Sequence, residues 1–428
     1  MVDRFDSGMN ANHDNESHSL ARPLTLRQNI IWNSAGTIVY LLLQWILTVF
    51  VVRISGYSDA GILSLCMSIG NVLAPVATYS IRTYQASDLS HQFPSGIYIA
   101  TRLLTCVTVL LFGIVFSFLG HYTKYQIMCI IAYMIFRILE SFLDVLHGIS
   151  QREKRMDIIG RSFFIRGLAN FIVFVIVLLV SENLSLALTA MAISTLLLMM
   201  IYDMPQTKKF DSIIPEWNYA KTKLLLMICT PLMLAGLISN VLSFYPRFLL
   251  EKNFGDKFMG IYSSVATPAI IIQVSASFIF APLVPIFAGY FRDDKKAELS
   301  RLLGRIIVYI ALISIVAVLV SIFFGKLGLS MLFGKDIIPY QYLLLPAVIS
   351  SILTSVVWLL LSVLTAVRLL REQLLSNVMA VAACLAVSPF LIRTYDMNGV
   401  SFAFILTQGV QIILMALAYI RYSRRVRI

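Results

Sequence analysis

Five ionisable residues lie inside stretches of the chain that are otherwise apolar: Arg102, Arg137, Glu140, Asp144 and Arg166. A charge at the centre of a bilayer costs about 2.5–3.5 kcal/mol on insertion scales, so such side chains face a protein interior or a wet cavity. Guanidinium groups stay charged and bind phosphate in a bidentate manner, so three arginines without a lysine suit a diphosphate. The alternative is that these residues form buried ion pairs that only fix helix packing.

The apolar stretches around these residues are predicted transmembrane helices. Hydrophobic residues make up 59% of the 428 residues and charged residues 13%. About 20 apolar residues are needed to cross the hydrocarbon. Ten uncharged runs are long enough, namely residues 28–52, 60–81, 103–123, 183–202, 224–246, 258–291, 306–325, 337–367, 373–392 and 397–420. Two more spans, near 127–148 and 162–181, emerge once internal charges are tolerated. We therefore predict an all-α polytopic membrane protein with about twelve transmembrane helices.

The distribution of basic residues predicts the topology. With a cytoplasmic N-terminus, the inner segments carry 23 Lys and Arg and the outer segments carry 8, and the three intramembrane arginines complete the 34. This bias follows the positive-inside rule and places both termini of a multi-pass protein in the cytoplasm. The net charge of +12 mostly reflects this asymmetry. It indicates contact with anionic membrane lipids and not with nucleic acid.

Several other classes of function lack support in the sequence. All five cysteines fall in apolar spans without a C-x-x-C spacing, which predicts small core residues and neither a metal site nor disulfides. The loops are too short for a catalytic domain, and the phosphate-binding motif G-x-x-x-x-G-K-[ST] does not occur. We expect no enzymatic activity and no cofactor. If the protein is a transporter, its energy would come from an ion gradient or from the gradient of its substrate.

The chain divides into two halves of six predicted spans. The predicted units are a polar tail at 1–28, a first lobe at 29–203, a linker at 204–222 and a second lobe with a basic tail at 223–428. Gly56-x-x-x-x-Gly61-Ile-Leu-Ser follows the first span of one half, and Gly255-x-x-x-x-Gly260-Ile-Tyr-Ser follows that of the other. Six spans is an even number, so the halves are parallel repeats, which in transporters enclose the substrate between them. A duplication without a shared central cavity is the alternative.

Helical spacing brings several of the intramembrane charges together. Arg137, Glu140 and Asp144 are three and four residues apart, so they share one face of the fourth span. Arg102 and Arg166 each lie about one turn inside the cytoplasmic ends of the neighbouring spans. The pattern predicts one cavity in which the arginines bind an anion. The carboxylates would keep this cavity hydrated or carry a coupling H⁺ or Na⁺.

Several motifs resemble the bacterial polysaccharide flippases of the Wzx type, within the multidrug/oligosaccharidyl-lipid/polysaccharide exporter superfamily. The matching segments are Arg82-x-Tyr84-Gln85-x-Ser-Asp88 with Tyr98 and Arg102, then Gly148-x-x-Gln151-x-x-x-Arg155-Met156-Asp157-x-x-Gly160-x-Ser162-x-x-x-Arg166-Gly167, Asn240-x-x-x-x-x-Pro246-Arg247, and Ala281-Pro282-Leu-x-Pro285. The resemblance covers essentially residues 29–428.

The resemblance implies a definite fold and activity. It implies two six-helix lobes around a central cavity, and ion-coupled export of an undecaprenyl-diphosphate-linked oligosaccharide from the inner to the outer leaflet for lipopolysaccharide, capsule or a related polymer. A polysaccharide polymerase and a chain-length regulator would be partners. By position, Arg102, Arg137 and Arg166 would hold the diphosphate. A cytoplasmic gate would consist of the motif residues Arg82, Gln85, Asp88, Gln151, Arg155 and Asp157, and Arg53 and Arg247 would lie on the outer side.

Three alternatives remain open at this point. A cation-coupled multidrug antiporter of the same superfamily is one, although the first span has no carboxylate of the kind that many drug antiporters carry there. A lipid II flippase is the second, because its substrate also carries a diphosphate. The third is a non-transporting scaffold of a polysaccharide assembly complex.

Overall fold

The computed structural model describes residues 24–88, 92–280, 287, 289–290 and 296–425, which are almost entirely helical and contain no strand. The helices are α1 Leu26–Thr78, α2 Ile81–Ser87, α3 Ser95–Leu119, α4 Lys124–Arg152, α5 Met156–Ser181, α6 Leu184–Leu198, α7 Tyr219–Phe254, α8 Asp256–Phe280, α9 Lys296–Phe333, α10 Leu344–Ala366 and α11 Leu370–Arg425. A π-helical turn, Met199–Asp203, and a short helix, Met204–Thr207, extend α6, and a 3-10 helix, Lys335–Leu343, precedes α10.

The described helices account for twelve membrane crossings. Within the described residues, eight helices are long and apolar enough to cross a membrane. Two of them, Arg27–Ser87 and Leu370–Tyr422, are long enough to cross twice, and non-helical backbone at Gly56 and Asp396 marks where each reverses. Adding α4 and α8 gives twelve, so the predicted all-α membrane fold is confirmed. Of the segments quoted above, Ala281-Pro282-Leu-x-Pro285 lies outside the described residues.

The first glycine of each repeated motif forms the turn between two spans. Gly56 has φ 84° and ψ −175°, and Gly255 has φ 85° and ψ 175°. Side chains with a Cβ rarely adopt such positive φ values, whereas glycine does so without steric cost. The two halves therefore repeat the same turn at the same point of the fold.

The second glycine of each motif lies where the two lobes touch. A Cβ added to Gly61 would lie 1.8 Å from the carbonyl oxygen of Asp256, and one added to Gly260 would lie 1.8 Å from that of Tyr57. Only glycine permits this approach of two backbones. We call this lobe–lobe contact the seam, and the end of the bundle that contains it the glycine end, which the topology predicts to be the outer one. The opposite end, where α1 begins, is the terminal end.

An arginine strengthens the seam. The Arg53 guanidinium donates to the carbonyl oxygens of Met331 at 2.6 Å and of Leu332 at 2.8 Å, in the last turn of α9. The final carbonyls of a helix have no partner inside the helix and carry partial negative charge, so a cation there stabilises them. Arg53 thus lies at the glycine end and joins the first lobe to the second.

The connection between the halves packs against the first lobe. The segment between Thr207 and Tyr219, within the predicted linker 204–222, is the non-helical part of that linker. Its Asp211 accepts a hydrogen bond from Arg152 at 2.7 Å and another from Ser95. Burial raises the pKa of the Asp211 carboxyl, but these hydrogen bonds outweigh burial, so the pKa lies below its ordinary value. The connection is therefore anchored at the terminal end of the first lobe.

Candidate anion-binding cavity

A cavity of about 610 Å³ lies between the two lobes. Its wall is formed by α1 and α4 of the first lobe, α7 and α8 of the second, and the residues following the Gly56 turn. Polar side chains from both lobes contribute to it, including Gln44, Thr48, Asn71, Ser263 and Thr267. A pocket of several hundred Å³ with a few convergent polar groups is the usual form of a small-molecule site. The structure therefore has the central cavity that the repeat predicted.

Arg137 reaches this cavity from α4. It lines the wall, and 29% of its side chain is exposed. One guanidinium nitrogen, Nη1, lies 2.6 Å from Oε2 of Glu140, one turn further along the same helix. The Nε atom of Arg137 has no hydrogen-bond partner in the described part of the chain. Arg137 is thus paired with Glu140 on one side, while part of its side chain is exposed at the cavity wall.

The other oxygen of Glu140 is held from α1. The hydroxyl of Tyr40 donates to Oε1 of Glu140, and the amide of Gln44 donates to the Tyr40 hydroxyl at 2.9 Å. Tyr40 and Gln44 are one turn apart on α1, so both side chains point toward α4. Tyr40 is missing from the sequence-based prediction, although a tyrosine and a glutamine four residues apart on an apolar span were a signal for such a contact.

Arg166 lies behind the Arg137–Glu140 pair and does not belong to the cavity wall. Only 3% of its side chain is exposed, and its Nη2 is 4.0 Å from Oε1 of Glu140. Its guanidinium stands over the rings of Tyr40 at 5.2 Å and Phe163 at 5.1 Å, which is a cation–π arrangement. Arg166 therefore neutralises Glu140 from the protein side, and a ligand in the cavity does not meet it directly.

Arg247 is a basic residue that the second lobe contributes to the cavity wall. It lines the same cavity as Arg137, although the sequence suggested only that it was on the outer side. Its guanidinium lies 5.9 Å from the centre of the Phe404 ring, and its Nε has no hydrogen-bond partner among the described residues. It forms no ion pair within that part of the chain. Among the described residues, each lobe thus presents one arginine to the cavity, and the arginine of the second lobe has no counter-ion there.

Arg102 occupies a different position from the one predicted. Its side chain is fully buried, and Nη2 lies 2.9 Å from Oδ2 of Asp144. Its Nη1 donates to the carbonyl oxygen of Ala77 at 2.9 Å. Asp144 also pairs with Arg82 at 3.2 Å. Since its donors are directed to these groups, Arg102 does not line the central cavity, and the three arginines expected together are divided between two clusters.

The motif residues toward the terminal end mainly hold helices and loops in place. Arg82 donates from Nε to Gln151 at 2.9 Å, which joins α2 to α4. Gln85 is fully buried against Gly148, where an added Cβ would lie 2.0 Å from the amide oxygen of Gln85. Asp88 accepts hydrogen bonds from two backbone amides and from Tyr98 at 2.8 Å.

Two further motif residues form an ion pair at the start of α5. Arg155 donates to both oxygens of Asp157 at 2.9 Å. Asp157 lies in the first turn of the helix, where the helix dipole favours a negative charge. A second buried pair, His147 and Asp203 at 3.2 Å, joins α4 to the π-helical turn and was not foreseen. Neither pair lines the cavity.

Comparisons with known proteins show similarity in sequence and in fold. No protein-family model matches it. The capsular polysaccharide biosynthesis protein CapF of Staphylococcus aureus is 25% identical over 315 residues, which cover 72% of this chain and 78% of that protein.

Solved structures share the fold. The lipid II flippase MurJ in an inward closed conformation has a TM-score of 0.70 at 10% identity, covering 91% of this chain and 87% of its own. The Vibrio cholerae MATE transporter VcmN, in its bent form, has a TM-score of 0.60 at 16% identity, with 94% and 96% covered. A transporter of the MOP superfamily from Pyrococcus furiosus, described by a reverse polarity of its binding pocket, has a TM-score of 0.64 at 13% identity, with 93% and 95% covered.

Proposed function

We propose that the chain is a membrane transporter of the multidrug/oligosaccharidyl-lipid/polysaccharide exporter superfamily, and that it flips an undecaprenyl-diphosphate-linked oligosaccharide from the inner to the outer leaflet of the bacterial cytoplasmic membrane. The fold that it shares with solved transporters and flippases supports this proposal. The product would serve the assembly of a surface polysaccharide. The relative from Staphylococcus aureus, whose name refers to capsular polysaccharide, supports this choice of substrate.

The observation that carries the proposal is the pair of arginines on the cavity wall. Arg137 and Arg247 come from different lobes, and Arg247 has no carboxylate partner in the described part of the chain. Burying a charge without a counter-ion costs several kcal/mol even after relaxation. An anion that enters the cavity offsets this cost. A diphosphate carries enough oxygen acceptors to bind both guanidinium groups at once.

The rest of the cavity suits the sugar part of such a lipid. Thr48, Ser263, Ser264 and Thr267 bring hydroxyl groups to the wall, and Trp45 and Tyr133 bring aromatic rings. Proteins bind sugars through hydroxyl groups and the faces of aromatic rings, because a sugar presents both hydroxyls and apolar C–H faces. The lipid tail remains in the bilayer while the polar headgroup passes between the lobes.

The transport cycle that we propose alternates between two arrangements of the lobes. With both termini in the cytoplasm, the seam at the glycine end closes the cavity toward the outside. Opening the seam would release the headgroup outward, as in transporters built from parallel repeats. Glu140 and Asp144 are the candidate sites for a coupling H⁺ or Na⁺. A polymerase and a chain-length regulator would receive the product.

Two other functions use the same fold. Flipping of lipid II is the second candidate function, because the fold is shared with MurJ and because the proposed arginine site binds the diphosphate and not the sugar. A multidrug antiporter for organic cations is less compatible with the cavity, since a cationic drug would face two arginines. Substrate competition separates the candidates: excess lipid II inhibits the export of a capsule precursor only if both bind the same site.

The test is a flipping assay in proteoliposomes with Arg137→Ala, Arg137→Lys and a control, Arg305→Ala. Arg305 is exposed on α9 and does not line the cavity, so its loss removes one charge without touching the site. We expect Arg137→Ala to lose most of the transport of an undecaprenyl-diphosphate oligosaccharide, Arg137→Lys to retain part of it and Arg305→Ala to be unchanged. Normal transport by a folded Arg137→Ala protein would refute the proposal.

A further inference from the structure

We infer that Glu140 is an internal counter-ion that occupies Arg137 while the cavity is empty, and that the diphosphate of the substrate displaces it. This inference rests on the proposed function and concerns the same site. It assigns to Glu140 the role of a positioning residue that sets how tightly the anion is held and how readily it leaves.

The carboxylate is held by groups on three helices. Its Oε2 accepts from Arg137, on its own helix, at 2.6 Å. Its Oε1 accepts from Tyr40 of α1 and lies 4.0 Å from Arg166 of α5. Tyr40 in turn accepts from Gln44, which keeps the hydroxyl hydrogen directed at the carboxylate. Glu140 is therefore fixed in place whether or not Arg137 remains bound to it.

The two arginines around Glu140 have different freedom to move. Arg166 is almost fully buried and is enclosed by the rings of Tyr40 and Phe163, so it stays where it is. Arg137 is 29% exposed at the cavity wall and can turn toward a ligand. When Arg137 leaves, Arg166 and Tyr40 still neutralise and hydrogen-bond the carboxylate. The exchange of partners thus avoids the large cost of an unpaired buried charge.

The two cavity arginines then have distinct tasks. Arg247 has no carboxylate among the described residues, so it is free to capture an anion at any time. Arg137 has to exchange Glu140 for the anion, which lowers the affinity by the strength of that ion pair. A carrier that binds its substrate too tightly releases it slowly. Glu140 returns to Arg137 as the diphosphate departs, and in this way favours release.

The experiment measures the binding of inorganic pyrophosphate to the purified full-length protein by isothermal titration calorimetry. Glu140→Gln keeps the shape of the side chain but removes its charge, so it no longer competes for Arg137. We expect pyrophosphate to bind about tenfold more tightly, which corresponds to about 1.4 kcal/mol and lies near the lower end of what a hydrogen bond to a charged group contributes. Transport in proteoliposomes should slow at the same time, because release loses its competing carboxylate.

Glu153→Gln is the matched control. Glu153 follows the end of α4, is partly exposed and pairs with Arg152 at 3.4 Å, away from the cavity. The same chemical change there should leave pyrophosphate affinity and transport at the wild-type level. In the Arg137→Ala background, Glu140→Gln should produce no further gain in affinity, because the group for which it competes is gone.

The outcomes separate this inference from the proposed function. Equal or weaker pyrophosphate binding by Glu140→Gln, beside a wild-type protein that loses binding on Arg137→Ala, overturns the role of Glu140 alone. A wild-type protein whose binding is unaffected by Arg137→Ala overturns the anion site itself. If Glu140→Gln does not fold, Glu140→Asp replaces it: the shorter side chain retreats from Arg137, and we expect severalfold tighter binding. Wild-type affinity in that variant contradicts the inference.

Discussion

The seam at the glycine end makes a strong prediction about Gly260→Ala. An added Cβ would lie 1.8 Å from the carbonyl oxygen of Tyr57 and 2.8 Å from the backbone nitrogen of Gly61. Both neighbours are backbone atoms, so no flexible side chain can move aside. The two lobes have to separate at this point for the alanine to fit.

The magnitude follows from the cost of overpacking. Extra carbon atoms in a well-packed region cost about 1–3 kcal/mol. This penalty applies to the arrangement in which the seam is closed and vanishes once the seam opens. An energy difference of about 1–3 kcal/mol changes an equilibrium constant about 5- to 150-fold. Gly260→Ala should therefore shift the population strongly toward the arrangement that is open at the glycine end.

Spin-label distances measure this shift. Labels on Lys124→Cys and Lys257→Cys, two exposed positions at the starts of α4 and α8, report the separation of the lobes at the glycine end. The five native cysteines are buried and are replaced in the background protein. We expect longer distances to dominate in Gly260→Ala. The control is Gly409→Ala, where an added Cβ meets nothing within 4 Å. A Gly260→Ala protein with the wild-type distance distribution and melting temperature would refute the reasoning.

Three further predictions concern the region around the cavity. Asp144→Asn removes the carboxylate that pairs with the fully buried guanidinium of Arg102. We therefore expect a loss of about 2 kcal/mol of stability, seen as a lower melting temperature in detergent. Gly148→Ala would place a Cβ 2.0 Å from the amide oxygen of Gln85, so this fully buried side chain has to shift; we expect a loss of about 1 kcal/mol of stability, and an unchanged melting temperature would contradict that packing. Arg152→Ala removes the guanidinium that anchors segment 208–218, so trypsin should cleave there faster than in wild type, and equal rates would show that the anchor is dispensable.

Much of the fold was predictable from the sequence because a membrane imposes one dominant rule. Runs of about 20 apolar residues predicted the crossings, and the charges inside two spans did not hide them. The glycine repeat predicted two parallel halves, and Gly56 and Gly255 share one backbone conformation. The lobe–lobe contact made by Gly61 and Gly260 could not be predicted from their spacing, because it depends on how two separate helices cross.

The candidate site was only partly predictable, and for a physical reason. Helical spacing shows which residues share a face, so Arg137 and Glu140 were correctly expected to lie together. Spacing does not show which helix stands opposite that face. Arg102 meets Asp144 and a backbone carbonyl instead of the cavity, and Arg247 of the other lobe lines the cavity instead. Tertiary packing decides which residues of the second lobe lie beside the first, and local sequence patterns do not show this packing.

The most direct test of the account is a cryo-electron microscopy map of the protein with an undecaprenyl-diphosphate oligosaccharide bound. We predict density for the diphosphate in the central cavity, with oxygens about 3 Å from the guanidinium nitrogens of Arg137 and Arg247. Glu140 should then have lost its contact with Arg137 and kept those with Tyr40 and Arg166. A diphosphate bound at Arg82 and Arg102 instead, or a headgroup that contacts neither cavity arginine, would contradict the account.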